Sequence, residues 1–266
     1  MTGMPFFKRY NLTKYIRGVG IEIGALSNPL DIGRKRAKVI YVDLFDKKNL
    51  IDQNPETPAG MIMAPDLIAD AQDLNMIGDG KVDFIIVSHI LEHLPDPIKA
   101  LKEFYRILRP GGALYLAIPD KRYFFDKERP VTPLEHLISD YKSNTTIKTS
   151  IAHYQEWLDL VELKKKFPVA KNLGELVDKG YRIHFHVWLP ESILEMLNYI
   201  KKNLDIYFQL QAYYYRNGDI EAVFVLKKCS SLTCPGLPVC LEERYSPVRQ
   251  CLCKIETIYR SIMGKR

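Results

Sequence analysis

The stretch Val19-Gly-Ile-Glu-Ile-Gly24 is an apolar run broken by one acid and closing on glycine. Such a run, ending on a turn former, reads as a buried strand entering a tight turn. A second apolar run, Lys38-Val-Ile-Tyr-Val-Asp43, follows about one helix-length later and ends on an acid. That spacing predicts a βαβ unit and a parallel sheet. Pro29 and Gly33 imply that the connecting helix is short and irregular.

Working outward, a loop rich in Pro and Asn (52–65) leads to a short third strand, Leu67-Ile-Ala-Asp70. Val82-Asp-Phe-Ile-Ile-Val-Ser88 is the clearest buried strand, and His89 to Pro95 form its outgoing loop. Asp96 and Pro97 then suit the cap and first position of a helix. Ile98, Leu101, Phe104, Tyr105 and Leu108 recur at helical spacing until Arg109-Pro-Gly-Gly112 stops the pattern. Ala113 to Ile118 is the fifth strand. Residues able to do chemistry stand at the carboxyl ends of these strands, where open α/β sheets bind ligands.

Residues 120–187 break the rhythm and read as a largely helical insertion that covers the active site, with helical stretches at 133–142 and 151–167. An amphipathic helix over 190–200 follows. Strand-like runs at 204–215 and 220–227 are joined at Asn217-Gly218, a hairpin signal. Residues 1–228 thus read as one domain. Residues 229–266 read as an appendage with a loop containing Pro and Cys and a helix over 248–263.

A composition of 47% hydrophobic and 26% charged residues fits a soluble globular chain. No apolar run reaches the roughly 18 residues of a membrane span, and the N-terminus lacks a signal-peptide core, so no transmembrane segment and a cytoplasmic location are expected. The net charge of +6 is scattered in short clusters without interleaved aromatic residues, which reads as solvated faces rather than a nucleic-acid footprint. All five cysteines lie in residues 229–266. Their odd number and the missing export signal argue against disulfides, and the lack of a C-x-x-C pair leaves only a weak zinc signal there.

Gly20-Ile-Glu-Ile-Gly-Ala-Leu-Ser-Asn-Pro29, Asp43, Asp70-Ala71, Ser88-His-Ile-Leu-Glu-His-Leu-Pro-Asp-Pro97 and Arg106-Ile-Leu-Arg-Pro-Gly-Gly112 occur in that order. Together they resemble the class I S-adenosylmethionine-dependent methyltransferases, over about residues 18–120. The resemblance implies a Rossmann-like, doubly wound, seven-stranded sheet. It places Glu22 and Gly24, with Ile23, Ala25 and Asn28, against the methionine part of the cofactor, S-adenosyl-L-methionine. Asp43 and Leu44 fall at the ribose, Asp70 and Ala71 at adenine, and Ser88 and His89 at the strand-four loop. Leu26 and Asn28 stand where that family usually has glycines, so the loop is expected to take a different path. The Glu-x-Gly-Ala-Leu-x-Asn-Pro form is similar to a bacterial subgroup that often accompanies surface-glycan genes. A nicotinamide dehydrogenase would normally show G-x-G-x-x-G here, and this chain does not.

His89-Ile-Leu-Glu-His93 also matches the H-x-x-E-H zinc-protease pattern, but it leaves a strand directly and meets Pro95 rather than lying on a helix. The same loop is similar to the Glu-x-x-Glu-His of quinone-type O-methyltransferases. By that likeness His89, Glu92 and His93 are the candidate ligands of a divalent cation, with His89 replacing the first acid.

In-line methyl transfer from a sulfonium needs an aligned nucleophile and, for a hydroxyl, a proton acceptor. The candidates are His89 and His93, then Asp120, His136, His153, His184 and His186 in or beside the insertion. His184 and His186 alternate along an extended segment and so fall on one face that can roof the pocket. Ile118-Pro-Asp-Lys-Arg-Tyr-Phe-Phe-Asp126 mixes aromatic and charged side chains, which suits a sugar's apolar faces and hydroxyls. The expectation is O-methylation of a sugar or glycan intermediate with a His base. A quinone or other small-molecule O-methyltransferase, and a non-catalytic cofactor-binding protein, are the alternatives. Nucleic-acid methylation is disfavoured, because the strand-four loop lacks an Asn/Asp-Pro-Pro-Tyr pattern.

Overall fold

The computed structural model describes residues 12–33, 37–166, 168, 170–178, 180–230 and 239–240. Strands β1 (Gly18–Ile23), β2 (Ala37–Asp43), β3 (Leu67–Ile68), β4 (Val82–Ser88), β5 (Leu108–Pro119), β6 (Phe208–Tyr214), β7 (Glu221–Lys228) and β8 (Val239–Cys240) form one sheet. Their order is β3-β2-β1-β4-β5-β7-β6-β8. The first five are parallel, and β7 runs antiparallel between β5 and β6. This is the Rossmann-like mixed sheet of class I methyltransferases. The two-residue β8, drawn from the expected appendage, pairs parallel to β6 and adds an eighth strand.

Alternation along β4 explains why the sheet needs cover on both sides. Ile85 and Val87 join a core with α2 (Pro97–Ile107), α3 (Leu134–Ser143) and α6 (Pro190–Asn203). Phe84 and Ile86 face a second core closed by Leu12, Ile16, Leu30 and Ile32. All four β4 side chains are fully buried. Each stabilises the fold by about 1.5–3 kcal/mol. Asp96 caps α2 as its sequence indicates, its Oδ1 accepting from the Lys99 amide at 2.8 Å.

Several expectations change. Among the described residues of the β1–β2 connection there is no helix, because Pro29 and the positive φ of Gly24, Leu26 and Gly33 keep the chain in turns. The short helix α1 (Lys47–Gln53) lies between β2 and β3, capped by Asp46. Strand β5 starts at Leu108, directly after α2, so the Pro-Gly-Gly turn is strand rather than loop. Helix α4 (Ile151–Leu160) is shorter than its sequence pattern, and α5 (Leu173–Asp178) follows it. Strand β6 is likewise shorter than the 204–215 run, and Gly218 turns with φ +94°. Cys229 is disulfide-bonded, against the expectation from cysteine number. The expected helix over 248–263 lies outside the described residues. No described helix is long and apolar enough to cross a membrane.

Candidate active site

Because β1 to β5 are parallel, their carboxyl ends meet along one edge. That edge carries Glu22, Ile23 and Gly24, then Asp43 and Leu44, then Asp70 and Ala71, then Ser88 and His89, and last Asp120. Glu22 is buried, and its Oε1 accepts from the Leu30 amide at 2.8 Å, which closes the loop after β1. Gly24 has φ +65°, and a Cβ there would fall 2.1 Å from Ile90 Cδ1. Leu26 holds φ +45°. The missing glycine is therefore absorbed as left-handed backbone at a leucine, a strained state of a kind that clusters at functional sites. Ala25 is half-buried and accepts from the Asn28 amide, while the Asn28 side chain lies exposed.

Asp43 is half-buried and accepts from the Leu44 amide at 2.7 Å; burial raises its pKa. Asp70 accepts from the backbone and side chain of Gln72, whose Oε1 in turn accepts from the Asp96 amide. Arg182 of the insertion lies close enough to Asp43 and Asp70 to feel both charges, with its guanidinium 6.0 Å from the Phe45 ring centre. Three carboxylates on three adjacent strand ends, beside a glycine that cannot carry a side chain, suit a cationic ligand with an amine, a diol and an exocyclic amine.

The strand-four loop forms a second cluster. His89 has φ +55°, and its Nε2 meets Glu221 Oε2 at 2.8 Å. Its Nδ1 lies 3.6 Å from Glu92 Oε1. Burial alone would lower the His89 pKa, but hydrogen bonding to Glu221 and Glu92 outweighs it and raises the pKa to about 9. Its two carboxylate partners thus favour the charged form of His89. Glu92 is fully buried, with its carboxylate turned toward His89 and His184. His93 Nδ1 donates to the Ile183 carbonyl at 2.8 Å, and burial with the neighbouring His184 lowers its pKa to about 4. His184 Nδ1 meets Asp126 Oδ2 at 2.8 Å, and its Nε2 lies 4.0 Å from Glu92. One ligand atom each of Glu92, His93 and His184 lie within 4.8 Å of one another.

The segment over 181–189 reaches this loop because Phe185 and His186 donate backbone N–H groups to the Glu92 carbonyl. Arg129, almost fully buried, pins it by donating to the carbonyls of His184 and Phe185 and to Glu156. His184 and His186 are thereby divided between adjoining clusters. His186 lies with His136, Asp140 and His153, its Nε2 3.2 Å from the Pro95 carbonyl. Burial first, then the charge of His153, lowers its pKa to about 3. Asp120 is buried with both oxygens accepting from Arg122, which also donates to Tyr215. Phe125 and Tyr123 stay exposed on the same loop, and Phe125 packs edge-on against Trp157. Glu221, Asp126, Arg129 and Arg182 were not singled out in the sequence; nothing local marks a partner 58 or 132 residues away.

Residues 18–116 match the family model described as methyltransferase domain. Over 95 residues, 36% of this chain, the sequence is 23% identical to a ubiquinone biosynthesis O-methyltransferase of Thiobacillus denitrificans. Over 49 residues, 18% of the chain, it is 35% identical to the human thiol S-methyltransferase TMT1B. Those matches take in 35% and 20% of the two relatives, so the chain spans about a third or less of their length. A Rhodobacter sphaeroides structure provisionally described as a Zn-dependent alcohol dehydrogenase superposes with a TM-score of 0.52 at 15% identity, covering 84% of this chain and 90% of that one. At that identity the likeness concerns fold alone.

Proposed function

We propose that the chain methylates a hydroxyl of a sugar or glycan intermediate, with the cofactor held by Glu22, Gly24, Asp43 and Asp70 and the hydroxyl proton taken by His184. The bound cofactor supplies an activated methyl group. One observation carries the assignment of the base: Asp126 holds His184 Nδ1 at 2.8 Å, which fixes the tautomer with a bare Nε2. Phe124 stacks on this imidazole at 5.5 Å and on His89 at 5.9 Å. Cationic His89 orients the acceptor oxygen, and exposed Phe125 and Tyr123 offer apolar faces to a sugar ring. The surface-glycan acceptor rests on the likeness of the Glu-x-Gly-Ala-Leu-x-Asn-Pro loop.

A second reading rests on Glu92, His93 and His184. Both histidines spend Nδ1 on a carbonyl or carboxylate, the arrangement that orients imidazoles toward a metal. A divalent cation there would suit a quinone-type or other small-molecule O-methyltransferase. Transfer of labelled methyl groups to a panel of sugars, phenols and thiols separates the readings. A cation-independent rate on sugars that drops about 100-fold or more in His184→Gln supports the first. A cation-dependent rate that vanishes in Glu92→Gln supports the second. Cofactor binding with no turnover on any acceptor would leave a non-catalytic binding protein.

A further inference from the structure

All six histidines of the chain fall into two groups, and one group lies wholly within the insertion. His136 and Asp140 are one turn apart on α3, His153 is on α4, and His186 is on the extended segment. His136 Nε2 is 3.1 Å from His153 Nε2. Asp140 Oδ2 is 3.2, 3.5 and 3.9 Å from the Nε2 atoms of His136, His153 and His186. Four ligands at about 2.0–2.1 Å around a tetrahedral ion stand about 3.3–3.4 Å apart, close to the separations among His136, His153 and Asp140.

The surroundings point the ligands inward. His153 Nδ1 donates to the Phe185 carbonyl at 2.8 Å, which leaves Nε2 bare. Thr145 Oγ1 donates to Asp140 Oδ1 at 3.0 Å, which leaves the buried Oδ2 facing the imidazoles. His186 is fully buried; its Nε2 donates to the Pro95 carbonyl at 3.2 Å, so the nitrogen it offers an ion is Nδ1, which has no hydrogen-bond partner. His136 is half-exposed and gives an ion a way in.

We infer that His136, Asp140, His153 and His186 form a closed divalent-cation site, with three imidazoles and one carboxylate best matched to Zn2+, that fastens α3 and α4 to the 181–189 segment. A site with four protein ligands stabilises structure rather than activating water. Its ion therefore acts on the cover of the active site and lies apart from the reacting atoms. The Glu92, His93 and His184 cluster is a separate donor set, so this inference stands whichever reading of the acceptor site holds.

The test is metal stoichiometry and thermal unfolding of the full chain, without any methyl acceptor. After chelation and titration with Zn2+, the wild type should take up an equivalent that His136→Gln/His153→Gln lacks and Glu92→Gln/His93→Gln keeps. Thr145→Val, which retains every ligand, should weaken Zn2+ about 10- to 100-fold. Zn2+ should raise the melting temperature of the wild type and leave that of the double histidine variant unchanged. Equal Zn2+ uptake by wild type and His136→Gln/His153→Gln, or unweakened binding by Thr145→Val, would overturn the proposal, as would a wild type that binds no Zn2+.

Discussion

Between Ile21 and Ile118 the interior is aliphatic and aromatic; between Asp120 and Trp188 much of it is ionic. In the first region Glu22, Glu92 and Asp96 are the buried charges, each at or just beyond the carboxyl end of β1 or β4. In the second, Asp126, Arg129, Asp140, His153, Glu162, His184 and His186 are all buried, around a small apolar cluster of Tyr154, Trp157 and Phe185. Apolar burial is indifferent to ions and protons, whereas a buried polar network holds only while its partners are satisfied. The difference teaches that the parallel-sheet half of the chain is held by apolar burial, whereas the 120–188 region holds only while its polar partners are satisfied.

The largest test of that contrast is Arg129→Met. It takes the guanidinium away from Glu156 and strands the buried carbonyls of His184 and Phe185, a loss of about 3–5 kcal/mol for a broken buried ion network. Hydrogen exchange should show residues 181–189 opening while β4 and β5 stay protected; simultaneous loss of both would erase the distinction between the regions. Removing the proposed Zn2+ comes next. Raising Zn2+ to 100 times its Kd should stabilise the cover by about 2.7 kcal/mol. Proteolysis confined to 120–189 in chelated protein would show it, and uniform cleavage would contradict it.

A smaller effect belongs to the parallel-sheet half. Burial raises the Asp96 pKa to about 6, against the pull of Lys99. A raised acid contributes stability that is fully present below its unfolded pKa near 4 and is lost as pH rises through about 6. Asp96→Asn keeps the helix cap and should flatten the melting temperature between pH 4 and 6. An unchanged slope would mean that Asp96 is not the group responsible.

The parallel-sheet half was legible because its signals are local. The β4 run, the Asp96-Pro97 cap and the acids at strand ends lie within a few residues of the elements they define. The insertion was legible only as composition. Its histidines could be named, but their division into two clusters depends on Arg129 and on where the 181–189 segment crosses Glu92, contacts 55 to over 90 residues apart. The partners of Asp120 were hidden for the same reason, since its place at the strand-five end says nothing of its ion pair with Arg122 or of the bond from Arg122 to Tyr215. Helix α1 went unread because it falls in the short stretch between Asp43 and the loop over 52–65, with Asp46 as its start signal.

The central claim is that the carboxyl ends of β1 to β3 hold S-adenosyl-L-methionine. Calorimetric titration of the cofactor into wild type and Asp43→Ala tests it most directly, with circular dichroism as the check on folding. Loss of a charged hydrogen-bond partner, worth about 1.5–3 kcal/mol, predicts affinity lower by about 10- to 100-fold in the variant. Equal affinity in two folded proteins, or no binding to the wild type, would contradict the account.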